Sequence, residues 1–511
     1  METYNKKIYN GIIGLAAIVS IATLVMATWL AISYRHEPIL ELFGFRQTQT
    51  ALTSYWACRG GFHFAYWTPV VGFPWAIPME FPIYQWIVAA FGCSSTSALD
   101  EIGRLVSYAF WIGCFWPARL ISRRLFGANG NLYFWIFAAL FASAPIYLFW
   151  ARTFMMETAA LFFTLMYLTF ALEMSMGRNL WRDALLTGVF LTLALLQKST
   201  TVLPLLLFAL VYLWAIRGEV CERWVASIGL WKGAAAYLIP LAIGFAWVKY
   251  SDHVKMANAM GAHLTSAALG SWNFGTIEAR MSGDLWGGVI WRRVAAENIA
   301  SYLGAVLIVA GAILAPLRRR LILCGIGLYL LFFMVFENLL FQHLYYPASN
   351  TVYLIFGLAV SIGGLIEARP RAVPLVSAAF ALVVVVNLYG FFNGQLFAAE
   401  SHQPDSADSI LTVAKFVRER TPADAAIIVY GADWSSEVPY YAERRAFAVP
   451  KWFPGYLDVL DAPVKYLGQQ PGAILVCWDG LHDQDLSRKL SADYIAWDKT
   501  SLGMCDVYLH R

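Results

Sequence analysis

The chain has 511 residues, of which 59% are hydrophobic, 16% aromatic and only 14% charged. A soluble globular protein carries roughly 25% charged residues, so this composition lacks the charge that a wholly water-facing surface needs. It excludes disordered, collagenous and nucleic-acid-binding proteins and predicts a polytopic α-helical membrane protein. The formal net charge of +4 says little until the charges are resolved by position.

Apolar segments long enough to cross a bilayer, which takes roughly 20 residues of helix, recur along the chain. The first carries no charge, is too long for a cleavable signal peptide and lacks a small-residue cleavage site, so we expect a retained signal anchor. About eleven membrane helices are predicted, the fifth and sixth being short and close together: Gly11–Ile32, Leu105–Ile121, Leu132–Phe149, Thr158–Leu172, Leu185–Leu196, Val202–Ile216, Gly233–Val248, Ile299–Leu317, Leu321–Leu340, Tyr346–Ile366 and Leu375–Phe392.

Basic residues mark every second junction between these segments, which predicts a cytoplasmic N-terminus because Lys and Arg are retained inside. An odd number of spans then places the C-terminus outside, along with two long loops, Ser33–Gly103 and Lys249–Asn298. The basic residues assigned to the inside are Lys6, Lys7, Arg119, Arg123, Arg124, Arg178, Arg182, Arg217, Arg223, Lys232, Arg318, Arg319, Arg320, Arg369 and Arg371.

The composition changes after residue 393, where residues 394–511 read as a small α/β domain on the outer, periplasmic face. Ser409–Glu419 has the pattern of an amphipathic helix. Ala425–Tyr430, Ala473–Trp478 and Cys505–Leu509 have the pattern of short buried strands. Residues 1–393 are predicted to form the membrane domain.

Four of the seven cysteines fall into two pairs on the predicted outer side. Cys58 and Cys93 share the first long loop, and Cys477 and Cys505 share the C-terminal domain. In an oxidising compartment each pair could form a disulfide, whereas the alternative is free thiols packed as small hydrophobic groups. The other three are interpreted as structural, and no Cys/His cluster has zinc spacing: Cys114, Cys221 and Cys324.

The first long loop is rich in Trp, Pro and Gly and contains two apolar, aromatic segments. Thr50–Trp56 and Ile83–Phe91 are predicted to be short helices lying in the membrane interface. The loop would then lie on the bilayer surface, where a lipid headgroup meets a water-soluble or lipid-borne partner.

Ionisable residues also gather at the predicted outer ends of spans. Charges at membrane depth indicate function, although any single one could be an interfacial residue extending to water. Cations beside tyrosines suit a phosphate, and carboxylates nearby suit a general base. The residues concerned are Arg152, Glu157, Lys198, Glu337, His343, Tyr345 and Tyr346.

At these residues the chain resembles a bacterial polyprenyl-phosphate-sugar-dependent glycosyltransferase of the GT-C superfamily. It is similar to the lipid A aminoarabinose transferases and the protein O-mannosyltransferases over about residues 11–366. Each segment alone is a weak signal for the family. Six segments in the order and topology of the family are a more specific signal. The segments are Arg46–Ala51, Glu80–Tyr84, Gly103–Leu105 with Arg123–Gly127, Arg152–Glu157, Leu195–Lys198 and His343–Pro347.

The resemblance implies a GT-C fold and direct, inverting displacement of a polyprenyl phosphate from a sugar by a hydroxyl of a glycan, glycolipid or protein. Glu80 is the first candidate base and Glu157 the second, with Glu37 and Glu41 behind them. The residues implied to contact the donor phosphate are Arg46, Arg152, Lys198 and His343, with Tyr345 as a hydrogen-bond donor.

One departure concerns Gln49, which stands where family members carry an aspartate that serves as base or metal ligand. An amide cannot accept the proton of a hydroxyl, so the base must be another carboxylate and a divalent metal is disfavoured. Gln49 and Tyr84 remain candidates on the acceptor side. Trp434 and Tyr440 of the C-terminal domain would either touch acceptor sugars or pack that domain onto the membrane part.

Three other functions compete with that of a single-sugar transferase. A polymerase or ligase that moves whole oligosaccharides between lipid carriers has the same signature as a single-sugar transferase. A lipid or sugar flippase would need midplane charges or repeated broken helices, which the sequence does not show. A non-enzymatic scaffold would not need the charge-bearing first loop. The resemblance places the protein in the bacterial inner membrane.

Overall fold

A computed structural model describes the backbone of residues 2–175, 180–215 and 220–510, and the side chains of residues 10–175, 181–206 and 233–510. Several predictions fall outside the described side chains. They concern Lys6, Lys7, Arg178, Arg217, Cys221, Arg223 and Lys232.

Helices make up most of the described residues before the C-terminal sheet. They are α1 Glu2–Ser33, α2 Gly44–Gly60, α3 Ile83–Gly92, α4 Thr96–Gly113, α5 Phe115–Phe126, α6 Gly130–Ser143, α7 Pro145–Trp150, α8 Glu157–Ser175, α9 Leu180–Ala215, α10 Val220–Lys255, α11 Gly270–Phe274, α12 Ile277–Arg280, α13 Tyr302–Leu314, α14 Arg319–Val335, α15 Glu337–Gln342, α16 Thr351–Ala368, α17 Val373–Phe392 and α18 Gln395–Ser401. A π-helix covers Asp284–Ala296.

Seven helical stretches within the described residues are long and apolar enough to cross a membrane, and the fold is that of a polytopic helical membrane protein. Several predicted spans do not coincide with single helices. Leu105–Ile121 runs across the junction between α4 and α5, and Leu132–Phe149 is interrupted at Pro145, which has no N–H to continue the α6 ladder. The predicted eighth span corresponds to α13, of 13 residues, and the predicted ninth runs from α14, of 17 residues, into α15.

The short span predicted at residues 185–196, and the next one as far as residue 215, belong to α9, which is interrupted at Lys198. The backbone there is extended, with φ −166° and ψ 94°. The first long loop docks at this break, because the N–H of Phe81 donates to the carbonyl of Leu196 (2.9 Å) and that of Tyr84 donates to Gln197 Oε1 (3.1 Å). The break therefore fixes the loop against α9.

The predicted loop helices at Thr50–Trp56 and Ile83–Phe91 are confirmed as parts of α2 and α3. A disulfide between Cys58 and Cys93 joins the end of α2 to the residue after α3. Between the helices, residues 78–80 are tied to α10, where Trp247 Nε1 donates to the Met79 carbonyl (3.0 Å) and the Ser251 hydroxyl donates to that of Pro78.

A small α/β domain follows, as predicted, built on a five-stranded sheet of order β2-β1-β3-β5-β4. β1 is parallel to β2 and β3, while β5 is antiparallel to β3 and β4. The elements are α19 Ser406–Arg420, β1 Ala426–Tyr430, α20 Glu437–Ala442, β2 Arg445–Val449, α21 Asp458–Asp461, α22 Pro463–Leu467, β3 Pro471–Cys477, α23 Gln484–Asp493, β4 Asp498–Leu502 and β5 Cys505–Leu509.

The amphipathic helix and the three predicted strands of this domain are confirmed as α19, β1, β3 and β5. The sequence patterns did not predict β2 and β4. The edge strand β4 has the polar sequence Asp-Lys-Thr-Ser-Leu and buries none of its residues, so it carries no hydrophobic signal. A second disulfide, Cys477–Cys505, joins β3 to β5.

Candidate functional site

Arg46, in the first turn of α2, reaches across to the loop that precedes α3. Its Nη2 donates to Glu80 Oε1 at 2.6 Å, and its Nη1 donates to Gln49 Oε1. Burial opposes the charge of Glu80, but Arg46 and then Lys198 outweigh it and hold the pKa of Glu80 below its ordinary value. Glu80 is therefore an ionised carboxylate at neutral pH.

A second ion pair joins Lys198, at the break in α9, to Glu157, the first residue of α8. Both side chains are almost completely buried. The ammonium group also lies 4.0 Å from the ring centroid of Tyr346 and 5.2 Å from that of Tyr345, within the range of cation–π attraction. The helix break allows Lys198 to point inward at the level of the loop.

The two ion pairs form one electrostatic unit, here named the paired-charge cluster: Arg46, Glu80, Glu157 and Lys198. Burial would lower the pKa of Arg46, but Glu80, the two tyrosines and Glu157 raise it above its ordinary value. The sequence predicted all four residues as site residues, and the structure brings them together from four separate segments. Two cations at close range are the donor set that binds a phosphate.

An aromatic wall borders the cluster. Phe43, with φ +58°, packs edge-on against Tyr345 (5.2 Å between ring centroids) and His343 (5.9 Å). Burial, with the charges of Lys198 and Arg46, lowers the pKa of His343 to about 4. His343 is therefore neutral at pH 7, and its ring carries one N–H donor and one acceptor nitrogen.

Arg152, which was expected among the phosphate ligands, lies in a different cluster, formed with Glu41, Arg104 and Glu400. Its Nε is 2.7 Å from Glu400 Oε1 and its Nη1 is 3.7 Å from Glu41 Oε1. Glu41 also accepts two hydrogen bonds from Arg104 (2.6 and 2.7 Å). All four side chains are buried, and each lies within ion-pair distance of an opposite charge in this cluster.

Two tyrosines expected on the acceptor side are buried instead. The hydroxyl of Tyr84 donates to the carbonyl of Gly103 at 2.6 Å. The hydroxyl of Tyr440 donates to Asp100 Oδ1 at 2.7 Å, and its neighbour Tyr441 donates to Asp100 Oδ2 at 2.9 Å. Tyr440 thus packs the C-terminal domain onto α4, the second of the two roles considered for it.

Trp434 and Gln49 lie beside the paired-charge cluster. The ring of Trp434 packs edge-on against Phe45 (5.2 Å), the residue before Arg46, so the loop after β1 covers the start of α2. Gln49 is 3% exposed, and its Nε2 has no hydrogen-bond partner among the described residues.

Several supporting residues were missed because nothing in the sequence marks them. Tyr66 accepts a hydrogen bond from the N–H of Met79 and donates one to the carbonyl of Glu80, both at 2.7 Å, which fixes the loop backbone. Tyr66 lies in an aromatic stretch with many equivalent rings. Glu400 lies far from Arg152 in sequence, so no spacing rule connects them.

The chemistry of the cluster does not fit a divalent cation. Each of its carboxylates is already paired with a cation, and Gln49 offers a neutral amide that also binds Arg46. In the part of the chain that the structure describes, no three His, Cys, Asp or Glu side chains are grouped so as to hold a metal ion. We therefore derive no step through a metal.

Comparison with known proteins reveals the fold but no close relative. No protein-family model and no curated protein matches the sequence. Among solved structures, the chain is similar to apo ArnT from Cupriavidus metallidurans, with a TM-score of 0.60 and 13% identity over 95% of this chain and 97% of that one. It is also similar to that protein bound to undecaprenyl phosphate, at a TM-score of 0.60, 12% identity and the same coverage.

A third similar structure is the archaeal oligosaccharyltransferase AglB from Archaeoglobus fulgidus, in complex with an inhibitory peptide and a dolichol-phosphate. The TM-score is 0.56, with 12% identity over 89% of this chain and 69% of that one. The chain therefore has the GT-C fold expected from its sequence segments. At these identities the likeness establishes the fold and not the activity.

Proposed function

We propose that this protein is a membrane glycosyltransferase that moves a sugar from a polyprenyl-phosphate donor to a hydroxyl acceptor. The observation that supports this most is the paired-charge cluster, in which two buried cations and two carboxylates meet within a GT-C fold. The similar ArnT structure contains undecaprenyl phosphate and the AglB structure a dolichol-phosphate, and a lipid phosphate suits Arg46 and Lys198.

In the proposed reaction, the acceptor oxygen forms a bond to the anomeric carbon as the bond from that carbon to the phosphate oxygen breaks. The electron pair leaves with the polyprenyl phosphate, whose charge Arg46 and Lys198 stabilise. The acceptor proton passes to a carboxylate. A single displacement inverts the anomeric centre.

Glu80 is our first choice for the base and Glu157 the second. Glu80 keeps 21% of its side chain exposed, whereas Glu157 keeps 5%, so Glu80 is the more accessible to an incoming hydroxyl. Neutral His343 and the hydroxyl of Tyr345 would donate hydrogen bonds to the phosphate. The unpartnered Nε2 of Gln49 would donate to an oxygen of the donor or acceptor.

We further propose that the protein lies in the bacterial inner membrane with its N-terminus in the cytoplasm. The cluster and the α/β domain would then face the periplasm. The pattern of Lys and Arg at alternate junctions supports this orientation.

The test is sugar transfer from radiolabelled polyprenyl-phosphate sugars in membranes that contain the wild type, Glu80→Gln, Glu157→Gln or Arg46→Ala. We expect the wild type to consume a donor and one carboxamide variant to fold normally but lose transfer. If no donor in a broad panel is consumed, and all variants bind lipid phosphate as the wild type does, the proposal is wrong and a flippase or scaffold function takes its place.

A further inference from the structure

The loops that follow β1, β2 and β3 meet at one edge of the C-terminal sheet, since the carboxyl ends of parallel strands lie together. The chain leaves β1 toward β2 on one side and leaves β3 toward β4 and β5 on the other. In open α/β sheets, such a reversal of strand order marks the crevice where ligands bind. The polar and aromatic residues at this edge are not used by the mechanism proposed above.

Trp452 and Asp433 form the centre of this edge. Trp452, after β2, has half of its surface exposed, and its indole N–H donates to Asp433 Oδ1 at 3.1 Å. Asp433, after β1, has φ +49°, a strained conformation for a residue with a side chain. The backbone N–H of Trp434 also donates to the Asp433 carboxylate, which is thereby held in place beside an exposed indole.

The backbone explains why an aspartate stands in this strained position. Gly431 has φ +85°, and a Cβ atom there would lie 1.8 Å from the carbonyl oxygen of Cys477. The loop after β1 must therefore pass directly against the end of β3 before it turns outward. This turn presents Asp433 to solvent while Trp434 packs back onto Phe45.

A residue from the second long loop completes the edge. The exposed ring of His263 stands nearly perpendicular to Trp452, with 6.2 Å between ring centroids, and lies equally far from Phe453. An indole face, a fixed carboxylate and an imidazole thus border one accessible surface. Trp434, the residue after Asp433, packs against Phe45, the residue before Arg46, so one ring contact links the two regions.

We propose that Trp452, Asp433 and His263 form a saccharide-binding subsite that holds the glycan part of the acceptor. The exposed indole face offers an apolar platform for the C–H face of a sugar ring. The Asp433 carboxylate accepts hydrogen bonds from sugar hydroxyls, and His263 adds a ring nitrogen that donates or accepts. This inference rests on the proposed glycosyltransferase function, since it assigns the acceptor side of the same reaction.

The test measures binding of maltohexaose, chitohexaose and a lipopolysaccharide core oligosaccharide to the full-length protein in nanodiscs. We expect at least one saccharide to bind. Trp452→Ala should weaken that binding at least tenfold and Asp433→Asn about fivefold. Trp452→Phe, which keeps an aromatic face but loses the N–H, should show an intermediate loss.

Trp497→Ala is the matched control, because Trp497 directly precedes β4 at the opposite edge of the same sheet. It should leave saccharide binding within twofold of the wild type. Binding of undecaprenyl phosphate is measured on every variant and should not change, which also shows that the variants are folded.

Two results would overturn this inference alone: no saccharide binds while undecaprenyl phosphate does, or Trp452→Ala and Trp497→Ala behave alike. A wild type that binds no undecaprenyl phosphate contradicts the proposed function itself. The two failures are therefore distinguishable.

Discussion

Nη2 of Arg46 lies 2.6 Å from Oε1 of Glu80, so the proposed phosphate ligand and the proposed base neutralise each other. A lipid phosphate that binds Arg46 must compete with Glu80 for the same N–H groups. As the phosphate engages Arg46, it would release Glu80 to accept a proton. The ion pair therefore links the availability of the base to the presence of the donor.

Glu80→Gln should bind undecaprenyl phosphate more tightly than the wild type, by about tenfold, while it loses transfer. Removing the carboxylate frees the guanidinium of Arg46, since a neutral amide competes less well with an anion. Equilibrium binding in nanodiscs measures the change. Glu37→Gln, an exposed site in the same loop, is the control. Equal or weaker binding by Glu80→Gln would show that Glu80 does not compete with the phosphate.

Breaking the Lys198–Glu157 pair from one side should destabilise the protein strongly. Glu157→Gln leaves a buried ammonium group without its counter-charge, which costs about 3–5 kcal/mol. The double variant Lys198→Met with Glu157→Leu should recover most of this stability but show no transfer. Thermal denaturation of the purified protein measures both effects. If the double variant lost as much stability as the two single substitutions added together, the result would argue against the pairing.

Arg152→Gln should reduce stability without changing the affinity for undecaprenyl phosphate in the protein that remains folded. Glu400 would lose its counter-charge, but the paired-charge cluster would be intact. Arg46→Ala, in the same binding measurement, should weaken the affinity. If Arg152→Gln weakens lipid-phosphate binding as much as Arg46→Ala does, Arg152 belongs to the donor site after all.

The low pKa of His343 predicts a loss of stability in mild acid. The folded state resists protonation down to about pH 4, whereas the unfolded chain takes up the proton near pH 6.5. The stabilisation that the low pKa of His343 contributes is fully present above pH 6.5. As the pH falls toward 4 it is lost, which lowers the free energy of unfolding by at most about 3 kcal/mol. His343→Gln should reduce this pH dependence of the melting temperature.

His402→Gln provides the comparison, because His402 is an exposed histidine directly after α18. The melting temperature of the His402→Gln variant should change with pH as that of the wild type does. A profile for His343→Gln that is indistinguishable from the wild type would show that His343 titrates normally.

Composition predicted the membrane class, and the resemblance of several short segments implied the GT-C fold. Those segments contain the four residues of the paired-charge cluster, two of which also stand out as ionisable residues at span ends. The sequence could not predict which charges pair. Arg152 and Lys198 carry the same signal, yet Arg152 is paired with Glu400 from a distant segment. The roles of Tyr84 and Tyr440 were equally hidden, since burial depends on tertiary packing that a local pattern does not contain.

The most direct test is an experimental structure of the full chain in nanodiscs with undecaprenyl phosphate. We predict that the phosphate lies within hydrogen-bonding distance of Arg46 and Lys198, with Glu80 separated from Arg46. A phosphate bound elsewhere, with the Arg46–Glu80 and Lys198–Glu157 pairs intact, would contradict the account.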